Sequence, residues 1–120
     1  MELSSIYHRP ESEFAYLYDQ EHIHLRLRSK RGDLSKVRVV FQDPFLTDQE
    51  EAELTLVAET SIFDFWQVQV TVPYRRIMYY FVLEDSQGQI MVYGDDGFHE
   101  SESDQDINFD SFFRLAYLHE

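Results

Sequence analysis

Residues 22–33, HIHLRLRSKRGD, decide the fold class of this chain. Polar and apolar side chains alternate through HIHLRLR, and a period of two is typical of a β-strand with one buried face. Ile23, Leu25 and Leu27 therefore belong to the core side, with the histidines and arginines outside. The sequence around Gly32 predicts a tight turn into a returning strand.

The same strand pattern recurs along the rest of the chain in short segments. Segment 77–83, IMYYFVL, is apolar on both faces, which is typical of a central strand covered on both sides. The pair Asp43-Pro44 ends another strand, because proline donates no ladder hydrogen bond. Further strands are predicted at residues 36–41, 52–59, 66–72 and 90–93, and a closing strand at 112–118.

Short strands separated by turn signals predict an all-β domain, an immunoglobulin-like antiparallel two-sheet β-sandwich of about seven to nine strands. Trp66 alternates in phase with the valines that follow it, so it is predicted to be a core residue. The predicted core consists of Ile23, Leu25, Leu27, Val39, Phe41, Trp66, Val68, Val70, Ile77, Tyr79 and Phe81. Residues 94–110 are acidic and are predicted to form a solvated loop.

Composition limits the function classes. A chain of 120 residues with 43% hydrophobic residues has the size and composition of one folded domain. No apolar run approaches a membrane span and no basic-then-apolar leader is present, so we expect neither a membrane partner nor a signal peptide. The absence of cysteine excludes disulfides and is compatible with a cytoplasmic location. The net charge of −13 opposes binding to phosphate backbones, so nucleic acid is not an expected partner.

Two groups of residues contain side chains that can bind metal ions. His22 and His24 lie on one strand face, but no third ligand is identifiable and two arginines follow on the same face, so a solvated or interface face is the favoured interpretation. The acidic residues of segment 95–106 lack the glycine and glutamate positions of a helix-flanked calcium loop. We predict no metal site and no cofactor.

Aromatic residues give the stronger functional indication. The chain has 8 Tyr, 10 Phe and 1 Trp, more than the core of one sandwich needs. Sugar rings stack their apolar faces on aromatic rings, while neighbouring polar groups bind the hydroxyls. Tyr16, Tyr18, Tyr74 and Phe98 lie near strand ends or in loops, and they are predicted to be surface platforms or interface anchors.

Phe45 is the sharpest candidate, because it follows Asp43-Pro44 in a loop where no strand periodicity buries it. The alternative is that its ring folds back as an apolar plug over the sandwich. The candidate carbohydrate-binding residues are therefore Phe45, Asp43, Tyr74 and Phe98.

Several motifs, taken in order, resemble one known family. They are IYHRP, LRLR followed by KRGD, QDPF, FDFWQVQV, PYRR followed by YYFVLE, and YGDDGF. Their order and spacing resemble the N-terminal domain of bacterial neopullulanases, cyclomaltodextrinases and maltogenic amylases in the α-amylase superfamily. That domain is usually classed as a family 34 carbohydrate-binding module. The resemblance covers essentially the whole chain and departs mainly at residues 101–106.

The resemblance implies a non-catalytic front domain of a larger enzyme. Residues 1–115 would form this domain, and residues 116–120 would begin the linker to a catalytic barrel outside this sequence. Enzymes of the superfamily hydrolyse α-glucosidic bonds with carboxylates on barrel loops, and none of those barrel motifs occurs here. No catalytic residue is therefore expected among these 120 residues.

The resemblance also implies a homodimer formed through this domain and the barrel, acting on maltodextrin, cyclodextrin or pullulan. In the family, an aromatic residue at the position of Phe45 is associated with the active-site cleft of the neighbouring subunit. An independent starch- or glycogen-binding module is the alternative, and a purely structural oligomerisation domain is a third possibility.

Overall fold

The computed structural model describes residues 1–10, 12–19, 21–46, 48–74, 76–102 and 107–116. This part of the chain contains nine strands and two 3₁₀ turns (Leu3–Ser5 and Phe109–Ser111), with no α-helix. The strands are β1 Ala15–Leu17, β2 His22–Lys30, β3 Leu34–Gln42, β4 Glu50–Glu59, β5 Phe63–Thr71, β6 Arg76–Asp85, β7 Ile90–Gly94, β8 Gly97–His99 and β9 Phe113–Ala116. Among the described residues, no helix is long and apolar enough to cross a membrane.

All strand pairs are antiparallel, and β4 joins the two layers of the fold. One layer has the order β1-β2-β5-β4, and the other has β4-β3-β6-β7-β8, with β9 also paired to β6. The first half of β4 pairs with β3, and after Leu54 the strand pairs with β5 through an irregularity between Leu56 and Ala58. The sheet therefore curls onto itself, and the predicted immunoglobulin-like sandwich is confirmed.

The core lies between the two layers. Of the predicted core residues, all are buried except Val68, which is partly buried and packs against the others. Trp66 is in the core as predicted, and its indole Nε1 donates to the buried Ser29 Oγ at 3.0 Å. This bond satisfies the one polar atom that the indole carries into the core.

Strand β6 is buried on both faces, as its sequence predicted. A second small cluster on its outer face consists of Val40, Tyr80, Val82 and Val92, against which Ile107 and Phe112 pack. Residues 94–110, expected to form a solvated loop, instead contain β8 and Ile107, which packs against this cluster. Residues 103–106 of this segment lie outside the described residues.

The N-terminal segment is tied to the core through His8, which is buried. His8 Nδ1 donates to the Arg26 carbonyl at 2.7 Å, and the Tyr79 hydroxyl donates to His8 Nε2 at 2.7 Å. Arg26 is in β2 and Tyr79 is in β6, so one imidazole connects both layers. Burial lowers the pKa of His8 to about 4, against the opposing effect of the Arg26 hydrogen bond.

The end of β3, the start of β6 and the end of β9 lie together at one end of the sandwich, where the candidate site is. Because neighbouring strands run in opposite directions, the end of β3 lies beside the start of β6, and Gln42 is the register partner of Met78. β9 ends at the same place, with Ala116 opposite Arg76. Residues 117–120, the greater part of the predicted linker, lie outside the described residues.

Candidate functional site

The loop after β3 is shaped by Asp43, whose carboxylate accepts the backbone N–H of Phe45 at 2.8 Å. The N–H of Leu46 donates to the Asp43 carbonyl at 3.1 Å and closes a turn. Asp at the first position and Pro at the second are the residues that such turns favour, because Asp bonds its own backbone and Pro presets φ. The sequence Asp43-Pro44 thus fixes the place from which Phe45 projects.

Arg76, the first residue of β6, anchors this loop from across the sheet. Its Nε donates to both carboxylate oxygens of Asp43, at 2.8 and 2.9 Å. Burial by itself would raise the pKa of Asp43, but the hydrogen bonds from Arg76 and Phe45 outweigh it and hold the pKa below its ordinary value. Asp43 is therefore ionised at neutral pH and acts as a fixed charged acceptor.

Two exposed aromatic rings flank the Arg76 guanidinium. Its central carbon lies 4.6 Å from the ring centre of Phe45 and 5.3 Å from that of Tyr74. Phe45 is 77% exposed and Tyr74 is 58% exposed, so neither ring is a plug over the core. Cation–π contacts at exposed sites contribute about 0.5–1 kcal/mol each and restrict the orientation of the rings.

A groove of about 430 Å³ opens beside this group and is lined by residues that include Leu46, Asp48, Tyr74 and Arg76. Its volume is within the range of small-ligand sites. Within the part of the chain that the structure describes, the terminal nitrogens of Arg76 donate to no protein acceptor. The site therefore offers apolar ring faces, free guanidinium donors and acidic acceptors together, which is the chemistry that a sugar requires.

The structure brings together three of the four sequence-predicted site residues: Asp43, Phe45 and Tyr74. Phe98 lies elsewhere, in β8, where it stacks on Tyr93 with ring centres 4.8 Å apart and packs against the core. Sequence reasoning did not select Arg76, which holds the other three in place. The available signal was the PYRR segment, in which an arginine directly precedes a strand that is buried on both faces.

The two histidines considered as metal ligands have separate partners. His22 Nδ1 lies 2.7 Å from a carboxylate oxygen of Asp19, while His24 contacts Tyr16 and Gln69. Within the described residues, no group of three His, Cys, Asp or Glu side chains could hold a metal ion.

These features define an immunoglobulin-like β-sandwich domain with an exposed aromatic and guanidinium site on its loop end. The chain belongs to the family of α-amylase N-terminal immunoglobulin-like domains, whose sequence profile matches residues 1–119.

Curated relatives agree with this assignment. The chain is 35% identical to a cyclomaltodextrinase of Geobacillus thermopakistaniensis (strain MAS1), over 99% of this chain and 21% of that protein. It is 30% identical to an intracellular maltogenic amylase of Bacillus subtilis (strain 168), over 100% of this chain and 21% of that protein. The chain thus spans about a fifth of the length of these relatives.

Solved structures give the same result. A cyclomaltodextrinase superposes with a TM-score of 0.88 and 30% identity, over 99% of this chain and 20% of that one. The type III pullulan hydrolase from Thermococcus kodakarensis superposes with a TM-score of 0.62 and 15% identity, over 85% of this chain and 14% of that one, and shares the fold.

Proposed function

We propose that this chain is the non-catalytic N-terminal domain of a cytoplasmic, homodimeric α-glucan hydrolase and that its loop end shapes the substrate cleft of the partner subunit. The names of the relatives support the substrate class, and one of them is described as intracellular. Because those relatives are about five times as long as this chain, the catalytic groups belong to the remaining part of the parent enzyme.

The observation that carries the proposal is the exposed ring of Phe45, held in place by the Asp43–Arg76 ion pair. A single exposed apolar ring needs no explanation by itself. What supports a binding role here is that the loop carrying the ring is anchored by an ion pair to Arg76 and by a hydrogen bond to the Phe45 backbone. A ring that is already oriented loses little conformational freedom on binding. Phe45 and Tyr74 offer stacking faces to a glucose unit, and Arg76 supplies hydrogen bonds to its hydroxyls.

The end of the described chain limits which catalytic barrel the Phe45 loop can contact. Strand β9 ends opposite Arg76, so any following segment begins at the same end of the sandwich as the site. The Phe45 loop could therefore contact the barrel of its own subunit or that of the partner subunit. We propose that it contacts the barrel of the partner.

We expect Phe45→Ala to lower kcat/KM of the parent enzyme for cyclodextrin several-fold, because a stacked ring contributes about 1 kcal/mol. Stability should change by no more than about 1 kcal/mol, the size of the lost cation–π contact, since an exposed side chain leaves no cavity. Steady-state kinetics and thermal unfolding of the same variant measure the two quantities. Ile62→Ala is a matched control, because Ile62 is 61% exposed at the opposite end of the sandwich. Unchanged kinetics with lost stability would contradict the proposal.

Mixed dimers decide between the two barrels. One subunit carries Phe45→Ala with an active barrel, and the other carries intact Phe45 with an inactivated barrel. If Phe45 serves the partner, the mixed dimer has normal kinetics per active barrel. Impaired kinetics would place the loop over its own barrel, and failure to form dimers would refute the proposed assembly.

We expect the 120 residues alone to release no reducing sugar from pullulan or cyclodextrin, because the proposed catalytic carboxylates belong to the barrel. A reducing-sugar assay on the purified domain measures this. Turnover that disappears when a carboxylate of this chain is replaced would contradict the prediction.

A further inference from the structure

Strand β2 carries a row of cations on the outer face of the β1-β2-β5-β4 layer. Arg26, Arg28 and Lys30 alternate with the buried residues of the strand, so all three side chains point away from the core. Alternate residues of a strand are about 7 Å apart, which makes the row about 14 Å long. These three residues are called the basic row.

The basic row lacks acidic partners in the part of the chain that the structure describes. Its register partners on β5 are Gln67, Phe65 and Phe63, which are uncharged. None of its three cations forms an ion pair with a described residue. By contrast, four cations elsewhere in the chain lie within 4.0 Å of a carboxylate: Lys36, Arg38, Arg76 and Arg114. The row is therefore a local positive surface on a chain whose net charge is −13.

Both guanidinium groups of the row are held in place by uncharged groups. Arg26 Nε and Nη2 donate to Gln67 Oε1 at 3.0 and 2.7 Å. The guanidinium carbon of Arg28 lies 4.2 Å from the ring centre of Phe63 and 5.2 Å from that of Tyr7, and its Nε donates to a backbone carbonyl at 3.2 Å. The Nη1 group of Arg26 and both terminal nitrogens of Arg28 have no acceptor among the described residues. Because these donors are already oriented, a ligand that binds them loses little of its affinity to side-chain ordering.

We propose that the basic row is a docking surface for an extended acidic segment of another polypeptide, with carboxylates at alternate positions. Alternate side chains of an extended segment lie on one side about 7 Å apart, so successive carboxylates can face successive cations of the row. A guanidinium fork matches the two oxygens of a carboxylate. This surface does not depend on the proposed role of Phe45, which follows β3 in the other layer.

A phosphate polymer is the other class of ligand that a cationic row attracts. A nucleic acid would extend beyond the row and place further phosphates against a chain of net charge −13. Single strands also bind by stacking their bases on aromatic faces. The rings of Tyr7 and Phe63 beside the row each have the Arg28 guanidinium over them, so these faces are already occupied. The acidic polypeptide is therefore the better match.

The test uses the 120-residue chain, which has its own two-layer core, and a fluorescent peptide of alternating glutamate and serine. Fluorescence anisotropy should show binding that weakens about fivefold when the salt concentration rises from about 50 to about 300 mM, since exposed charge pairs are screened. A peptide of the same composition with its glutamates in one block should bind several-fold more weakly, because half of its carboxylates then point away from the row. Equal binding of the two peptides would contradict the proposed spacing.

Lys30→Gln and Lys36→Gln are a matched pair of variants. Lys30 and Lys36 are the only lysines of the chain, both are exposed, and Lys36 is on β3 in the other layer. Lys30→Gln should weaken peptide binding about threefold, as loss of an exposed charge pair does, whereas Lys36→Gln should leave it unchanged. Acetylation by an amine-reactive reagent, read by mass spectrometry, is a second measurement: the bound peptide should protect Lys30 and leave Lys36 reactive.

Three outcomes would overturn the inference. The first is no binding at millimolar peptide, and the second is an equal effect of the two lysine variants. The third is a single-stranded oligothymidylate of the same charge that binds more tightly than the peptide and depends on Lys30, which would assign the row to phosphate ligands. None of these measurements involves Phe45 or glucan turnover, so the proposed cleft role is tested separately.

Discussion

We expect Gly94→Ala to destabilise the domain by about 3 kcal/mol, because the new methyl group has no space. A Cβ at Gly94 would overlap the carbonyl oxygen of Ser111. That oxygen also accepts the backbone N–H of Asp95 at 2.8 Å, so moving it away costs a buried hydrogen bond. The obstacle is backbone, which cannot swing aside as a flexible side chain could.

Urea unfolding monitored by the single, buried Trp66 measures this effect. Gly32→Ala is the matched control, because the φ of Gly32 is +74° but nothing lies within 4 Å of its added Cβ. The control isolates the cost of the left-handed backbone, which is about 1 kcal/mol. Gly94 does not share that backbone conformation. A loss in Gly94→Ala no larger than that in Gly32→Ala would therefore contradict the expected overlap with Ser111.

The fold was predictable from sequence where the buried face follows a local period. Buried and partly exposed residues alternate strictly in β2. β6 is apolar on both faces because one face lies on the core and the segment before β9 packs on the other. β8 was not predicted, because it has three residues inside an acidic segment. Its pairing depends on the tight hairpin between Gly94 and Gly97 and on Phe98 stacking over Tyr93, which are tertiary contacts.

The candidate site was predictable only in part, for the same reason. Phe45 could be selected because Asp43-Pro44 breaks a strand and leaves a large ring without a local place in the core. Arg76 could not, since its contact with Asp43 crosses 33 residues of sequence and depends on the register of β3 with β6. The place of Arg76 in the site thus depends on strand pairing, which the sequence does not show directly. Asp43 and Phe45 can be recognised from the loop sequence alone.

Acidification should destabilise the domain through His8 before its carboxylates protonate. The pKa of His8 is about 4 in the folded state and 6.5 as the ordinary value, so the unfolded chain binds the extra proton between these two pH values. Unfolding then takes up a proton, and stability falls as the pH decreases through this window. The stability contributed by the neutral imidazole is complete above about pH 6.5 and is lost progressively down to about pH 4, a total of about 3 kcal/mol.

Between pH 7.5 and pH 5 the expected loss is about 2 kcal/mol, measured by urea unfolding at the two pH values. His8→Gln is the informative comparison, because its amide has a donor and an acceptor for Arg26 and Tyr79 but does not titrate. We expect the variant to be less stable at pH 7.5 and to lose about 2 kcal/mol less than the unmodified chain on going to pH 5. The remaining histidines are present in both proteins and cancel in the difference. The same pH dependence in the unmodified chain and in His8→Gln would contradict this prediction. It would mean that the His8 imidazole is hydrated or already charged in the native state, although it is buried against Tyr79, Phe81 and Phe113.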